Sequence, residues 1–132
     1  MLLLGLGVLS LVAAAGWVEE GEVATLVTFD ERGRGTDSRL WIVDVGGASY
    51  VRAPGEGCQW LTRLRSHPVV HLSRGDGLVT VRAEPLADAA VRETVNDAMH
   101  RKYGGFDEIV ALWRDPSHSV PVRLDPVNSA QR

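Results

Sequence analysis

The sequence predicts a small, mainly β domain with added helices: an antiparallel barrel of six short strands. Three observations carry that expectation. Short runs rich in Val and Thr recur between Gly- and Pro-bearing turns. Gly46-Gly47 joins two such runs in the manner of a two-residue hairpin. Short polar connections between most of the runs make long parallel crossovers unnecessary.

Each element follows from its residues. Glu22 to Phe29 (EVATLVTF) reads as the first strand, and Asp30 to Gly35 as a turn. Ser38 to Val45 (SRLWIVDV) reads as one continuous second strand, with Leu40 and Ile42 on one face and Trp41 and Val43 on the other. Ala48 to Ala53 is the third, so the first three strands are expected to form a meander. After Pro54–Gly57, Trp60, Leu61 and Leu64 recur at helical spacing in Gln59 to Ser66, and Pro68 stops that helix. Val69 to Ser73 and Leu78 to Glu84 are the fourth and fifth strands, with Val79, Val81 and Ala83 facing inward.

Asp88 is the expected N-cap of a longer helix, whose stripe is Val91, Val95, Ala98 and Met99 and whose stop is Gly104-Gly105. A second short helix, Phe106 to Trp113, completes a helical pair. Ser119 to Asp125 is the sixth strand. Pro121 within it argues for an edge position or a bulge, because proline lacks the ladder N–H.

Leu2 to Val18 stands apart as a run of apolar and small residues in which Ser10 is the one polar member. A membrane anchor, a cleaved signal and an N-terminal apolar helix packed on the domain are all compatible with it. Trp17 suits a headgroup-level position. The organisation is therefore an apolar segment over 1–18, a barrel domain over 19–126 and a tail over 127–132. The location is membrane-associated, through residues 2–18, or cytoplasmic.

Composition excludes several classes. Lys plus Arg number 14 against 17 Asp plus Glu, a net charge of −3, so no basic surface for nucleic acid is evident. The single cysteine, Cys58, excludes an internal disulfide and a Cys-rich zinc site. His67 and His71 are separated by Pro68 and do not share a helix face, so no metal site is expected. Neither a nucleophile elbow nor a P-loop occurs. Gly33-Arg34-Gly35 precedes a strand, which rules out a dinucleotide fingerprint.

The arginines are the informative set. Were Ser38–Val45 and Ala48–Ala53 paired through Gly46-Gly47, Arg39 and Arg52 would lie opposite each other. Two opposed cations call for acids such as Asp37 and Glu56, or for an anion. Thr36, Ser38 and the backbone of Gly55-Glu56-Gly57 could add donors. A solvated, salt-bridged surface is the competing reading.

The GRG turn, the SRLWIVD strand, YVRA, the glycine loop and QWLTRLRSHPVVHL together resemble the pyridoxamine 5′-phosphate oxidase-like split-barrel proteins. The nitroreductase or quinone-reductase-like, deazaflavin-dependent branch is the most similar. Its runs G-x-x-x-x-x-R-x-x-P-L-W-x-V and W-x-x-N-L-x-x-N-P correspond here to Arg39-Leu40-Trp41 and to Trp60 through Pro68. The resemblance covers about Glu22 to Asp125.

It implies a six-stranded split β-barrel, a homodimer, and FMN or a deazaflavin in a groove between subunits. It implies phosphate contacts from Thr36, Ser38, Arg39, Arg52, Ala53, Gly55 and Gly57. Trp60 and Arg65 would wall the site, and the ring would lie near Trp41. The implied activity is reduction of a small quinone- or nitro-type compound, with no identified catalytic residue. A non-catalytic binding or scaffold protein of the same fold, or a haem- or other tetrapyrrole-binding relative, are the alternatives.

Overall fold

A computed structural model describes residues 22–105 and 115–127. The apolar run 2–18, the expected helix Phe106–Trp113 and the end of the tail lie outside the described residues. Seven strands and two helices follow in order: β1 (Ala24–Phe29), β2 (Gly35–Leu40), β3 (Val43–Val45), β4 (Ala48–Ala53), α1 (Gln59–Ser66), β5 (Val69–Arg74), β6 (Gly77–Pro85), α2 (Ala89–Tyr103) and β7 (Val120–Pro126). A 3-10 turn, Pro116–His118, precedes β7. The strands make one curled antiparallel sheet, a half-barrel, in the order β2-β1-β5-β6-β7-β4-β3.

The expected second strand is two strands. Residues 38–40 end β2, and residues 43–45 form β3 at the opposite edge of the sheet. The break has a cause in α2. The Ile42 amide donates to the Tyr103 hydroxyl at 3.0 Å, and the Ile42 carbonyl accepts from Lys102 Nζ at 2.8 Å. Helix side chains thus take the backbone groups that a strand partner would have taken. Among the described residues the strand count is therefore seven rather than six, and β2 does not pair with β3, so the first three strands form no meander.

Other local expectations hold. Gly46 and Gly47 have φ of 59° and 84° and close the β3–β4 hairpin at Val45↔Ala48, as a two-residue turn with two positive φ requires. Asp30 organises the β1–β2 turn, its Oδ1 accepting the amides of Arg32 and Arg34 at 2.9 Å. Asp88 caps α2, accepting from the Ala90 and Val91 amides. Gly104 ends that helix at φ 56°.

Pro121 sits on an interior strand, between β6 and β4, which corrects the edge or bulge expectation. It is tolerated because it stands where the β6 ladder ends. Its carbonyl accepts from the Leu86 amide at 2.9 Å. The bond that proline cannot donate is the next one, past the last β6 pair at Pro85↔Val122.

The core lies on the concave face. Leu26, Ile42, Val51, Val70, Val81 and Val122 are fully buried or nearly so, and α1 adds Trp60, Leu61 and Leu64. Val81 and Ala83 face inward as expected, but Val79 is 47% exposed because it stands at the open end of the curl. On the other face α2 packs Val95, Ala98, Met99 and Tyr103 against Val43, with Trp41, Val45 and Tyr50 around them. Among the described residues, no helix is long and apolar enough to cross a membrane.

Candidate functional site

Pairing register sorts the candidate residues by face. Residues directly opposite in an antiparallel pair project to the same side. Thr36 pairs with Thr28 and Ser38 with Leu26, and both Thr28 and Leu26 are fully buried on the concave side. Thr36 and Ser38 therefore share that side with the core. Arg39 pairs with Thr25, and so lies on the convex side with Asp37. β2 is also an edge strand, so its outer backbone groups lack a strand partner among the described residues.

Arg39 and Arg52 are not opposed, which corrects the sequence expectation. Arg52 lies on β4 opposite Pro121 of β7, while β3 pairs with β4 only over Val43–Val45. Its Nη1 donates to Asn96 Oδ1 at 2.9 Å, and Asn96 Nδ2 donates to the Pro116 carbonyl at 3.0 Å. Arg52 thus stands beneath α2, on the convex side. Ala53, next to it, is fully buried and offers only backbone. Gly55 lies by the 3-10 turn: a Cβ there would come 3.9 Å from the His118 carbonyl, whereas one at Gly57 would meet open space.

Trp60 is 8% exposed and packs in the core, so its ring has little face to offer a ligand. Arg65 pairs with Glu56, Nη1 to Oε1 at 2.5 Å. The hydrogen bond from Arg65 holds the Glu56 carboxyl below its ordinary range, and Glu56 in turn raises Arg65. Both side chains are largely exposed, so this pair adds little stability. Trp41 stacks face to face on Tyr103, with centroids 4.2 Å apart and planes 7° from parallel.

Next to that stack lies a polar network that the sequence did not signal. Glu22 accepts from Arg74 Nε at 2.7 Å and from Lys102. Arg74 forks onto Asp44 with both Nη atoms at 2.8 Å, and Ser49 Oγ donates to Asp44 at 2.6 Å. The Arg74 hydrogen bond lowers Asp44 to about 2, and also depresses Glu22. Burial raises the Tyr103 phenol. The network ties the approach to β1 to β3, β5 and α2, four segments remote in sequence. It borders an open-ended cleft of about 290 Å³ lined by Ser49, Leu72, Arg74, Val79 and Leu124.

Sequence reasoning also left Arg63 out of the binding set. It lies on α1, half-buried, and its Nε donates to Thr28 Oγ1 at 2.8 Å. A threonine inside an apolar strand pattern was the available signal, since a buried hydroxyl needs a partner. The structure therefore brings together Thr36, Ser38, Thr28 and Arg63 on the concave side. Arg52, Ala53 and Gly55 form a second group beside α2 and the 3-10 turn, and Arg39 is on the convex side. Among the described residues, no cluster of His, Cys, Asp and Glu could hold a metal ion.

The donor set fits a phosphate-bearing cofactor better than a metal: hydroxyls and a guanidinium donate hydrogen bonds to oxyanions.

No family model and no curated protein matches the chain. Solved structures do. A protein of Listeria innocua assigned as a pyridoxamine 5′-phosphate oxidase superposes with a TM-score of 0.62 at 14% identity, over 84% of this chain and 88% of the other. The F420-H2 dependent reductase FDR-A gives 0.60 at 19% identity, over 76% and 92%. HutZ of Vibrio cholerae, a heme storage protein, gives 0.62 at 16%, over 81% and 82%.

Proposed function

On a fold shared with pyridoxamine 5′-phosphate oxidase-like split barrels, we propose that this chain is a flavin- or deazaflavin-dependent oxidoreductase. It reduces a small quinone- or nitro-type compound and works as a homodimer. The observation that carries the reading is β2: an edge strand whose Thr36 is exposed and whose Ser38 is half-buried, both on the concave side. Hydroxyls and free backbone donors there suit the oxygens of FMN or a deazaflavin.

The chain's own residues bind and orient. Thr36 and Ser38 donate to oxyanion oxygens. The exposed side of β1, β5 and β6 carries Val69 and Leu78, 41% and 68% exposed, and the Phe29–His71 edge contact at 5.1 Å. A second copy covering that face would take these apolar side chains out of water. The bound group would supply the hydride, and that chemistry needs no general base from the protein.

A haem-binding reading is second. Its support is the HutZ likeness together with His71, an exposed imidazole on the convex face beside Phe29. The deciding experiment is the visible spectrum of the full chain after incubation with FMN, a deazaflavin or haem and removal of excess. A retained flavin-type band is expected. A Soret band that His71→Ala abolishes would transfer the assignment to haem. A colourless protein would refute the redox reading and leave a binding or scaffold role. Sedimentation velocity tests the homodimer.

A further inference from the structure

We infer that Arg63, with the hydroxyls of Thr36 and Ser38, forms an anchor for a phosphate monoester. The inference rests on the cofactor reading above and names the cation within it.

What marks Arg63 is its partner, the hydroxyl of a fully buried threonine. Arg34, Arg65, Arg74 and Arg123 each pair with at least one carboxylate. Arg63 pairs with none among the described residues. Its one polar side-chain contact there is the 2.8 Å bond from Nε to Thr28 Oγ1. Thr28 is fully buried, so this bond ends on a rigid part of the barrel.

A guanidinium is planar, and a bond at Nε directs the Nη fork away from that acceptor. Both Nη groups then remain as a pre-set fork with no protein acceptor among the described residues. A half-buried cation held in this way is compensated best by an anion that accepts several hydrogen bonds at once.

The strand register supplies the remaining donors. Thr36 stands directly opposite Thr28, and Ser38 is the next residue of β2 on the same face. The guanidinium and both hydroxyls therefore lie on the same side of the sheet. Arg39 is on the other side of β2, and Arg52 is engaged with Asn96. Neither is placed to complete this cluster. A tetrahedral phosphate matches a fork plus two hydroxyls, whereas a planar carboxylate would use only the fork.

The test compares FMN with riboflavin, which lacks the phosphate, by fluorescence titration of the full chain. Wild type is expected to bind FMN at least about ten-fold more tightly, one charge-assisted contact being worth about that factor. Arg63→Gln should erase the difference and leave riboflavin affinity unchanged. Thr36→Val, on the exposed edge, should reduce the difference without disturbing the fold. Arg32→Gln, in the β1–β2 turn, controls for charge alone and should retain it. Inorganic phosphate should raise the melting temperature of wild type and not that of Arg63→Gln.

Equal affinity of wild type for FMN and riboflavin would overturn the anchor and leave flavin binding standing. So would a folded Arg63→Gln protein that keeps the preference. Should Arg63→Gln fail to fold, Thr36→Val decides by the same comparison. Should wild type bind no flavin, FMN falls as the cofactor, and the phosphate melting shift alone decides the anchor: a shift in wild type that Thr36→Val diminishes upholds it, and its absence overturns it.

Discussion

Tyr103→Phe isolates the contact that splits the expected second strand. The Tyr103 hydroxyl accepts from the Ile42 amide at 3.0 Å and donates toward the Glu22 or Ile42 carbonyl, at 2.9 and 3.1 Å. Tyr103 and Ile42 are both fully buried. Phenylalanine keeps the ring and its stack on Trp41, so packing changes little. The Ile42 carbonyl keeps Lys102 as a donor, but the Ile42 amide is left without any partner. An unsatisfied buried donor costs about 1–3 kcal/mol, and the lost donor bond adds about 1. The expected loss is therefore about 2–4 kcal/mol, a fall in Tm of about 10 °C or more for a domain of this size.

Urea denaturation of the full chain, wild type against variant, measures that loss. Hydrogen exchange at the Ile42 amide locates it, with strong protection in wild type and weak protection in the variant. A loss under about 0.5 kcal/mol, with Ile42 still protected, would refute the account of how α2 ends β2 and begins β3. Tyr103→Leu should cost more, because it also removes a stacked pair worth about 0.5–1.5 kcal/mol.

Three further outcomes are expected. Leu61→Ala, at a fully buried position facing the sheet, should cost about 2–5 kcal/mol by urea denaturation. Asp88→Ala should cost about 1 kcal/mol, because the Ala90 and Val91 amides lose their acceptor, and Asp88→Ser should recover most of it. Acid should destabilise the fold through the Arg74 network. Asp44, at about 2 when folded, and Glu22, also depressed, both lie below their unfolded values, so their stabilisation is complete above about pH 4.5 and lost as pH falls toward 2. Asp44 is 56% exposed, so screening limits its share to about 1 kcal/mol. Urea midpoints at pH 7 and pH 2.5 should therefore differ less for Asp44→Asn than for wild type.

The elements themselves were legible because their signals are local. Alternation in Ala24–Phe29, the Gly46-Gly47 turn, the Trp60-Leu61-Leu64 stripe and the Asp88 cap each arise from neighbours in the chain, and each appears in the structure. The order of strands did not follow from them. Ser38–Val45 has the pattern of one continuous strand, and only Tyr103 and Lys102, some sixty residues away, claim the backbone of Ile42 and split it.

The same division runs through the candidate site. Sequence supplied residues whose chemistry suits an oxyanion: Thr36, Ser38, and arginines on β2, β4 and α1. It could not say which of them share a face, because a side chain's face depends on pairing register and a one-residue difference reverses it. Register put Thr36 and Ser38 on the concave side, sent Arg39 to the convex side, and left Arg52 bonded beneath α2. A buried hydroxyl on β1, Thr28, holds Arg63 on the concave side. The sequence by itself determined the local elements and the kind of donors available. The tertiary structure alone decided which donors meet, because that depends on contacts between segments far apart in the chain.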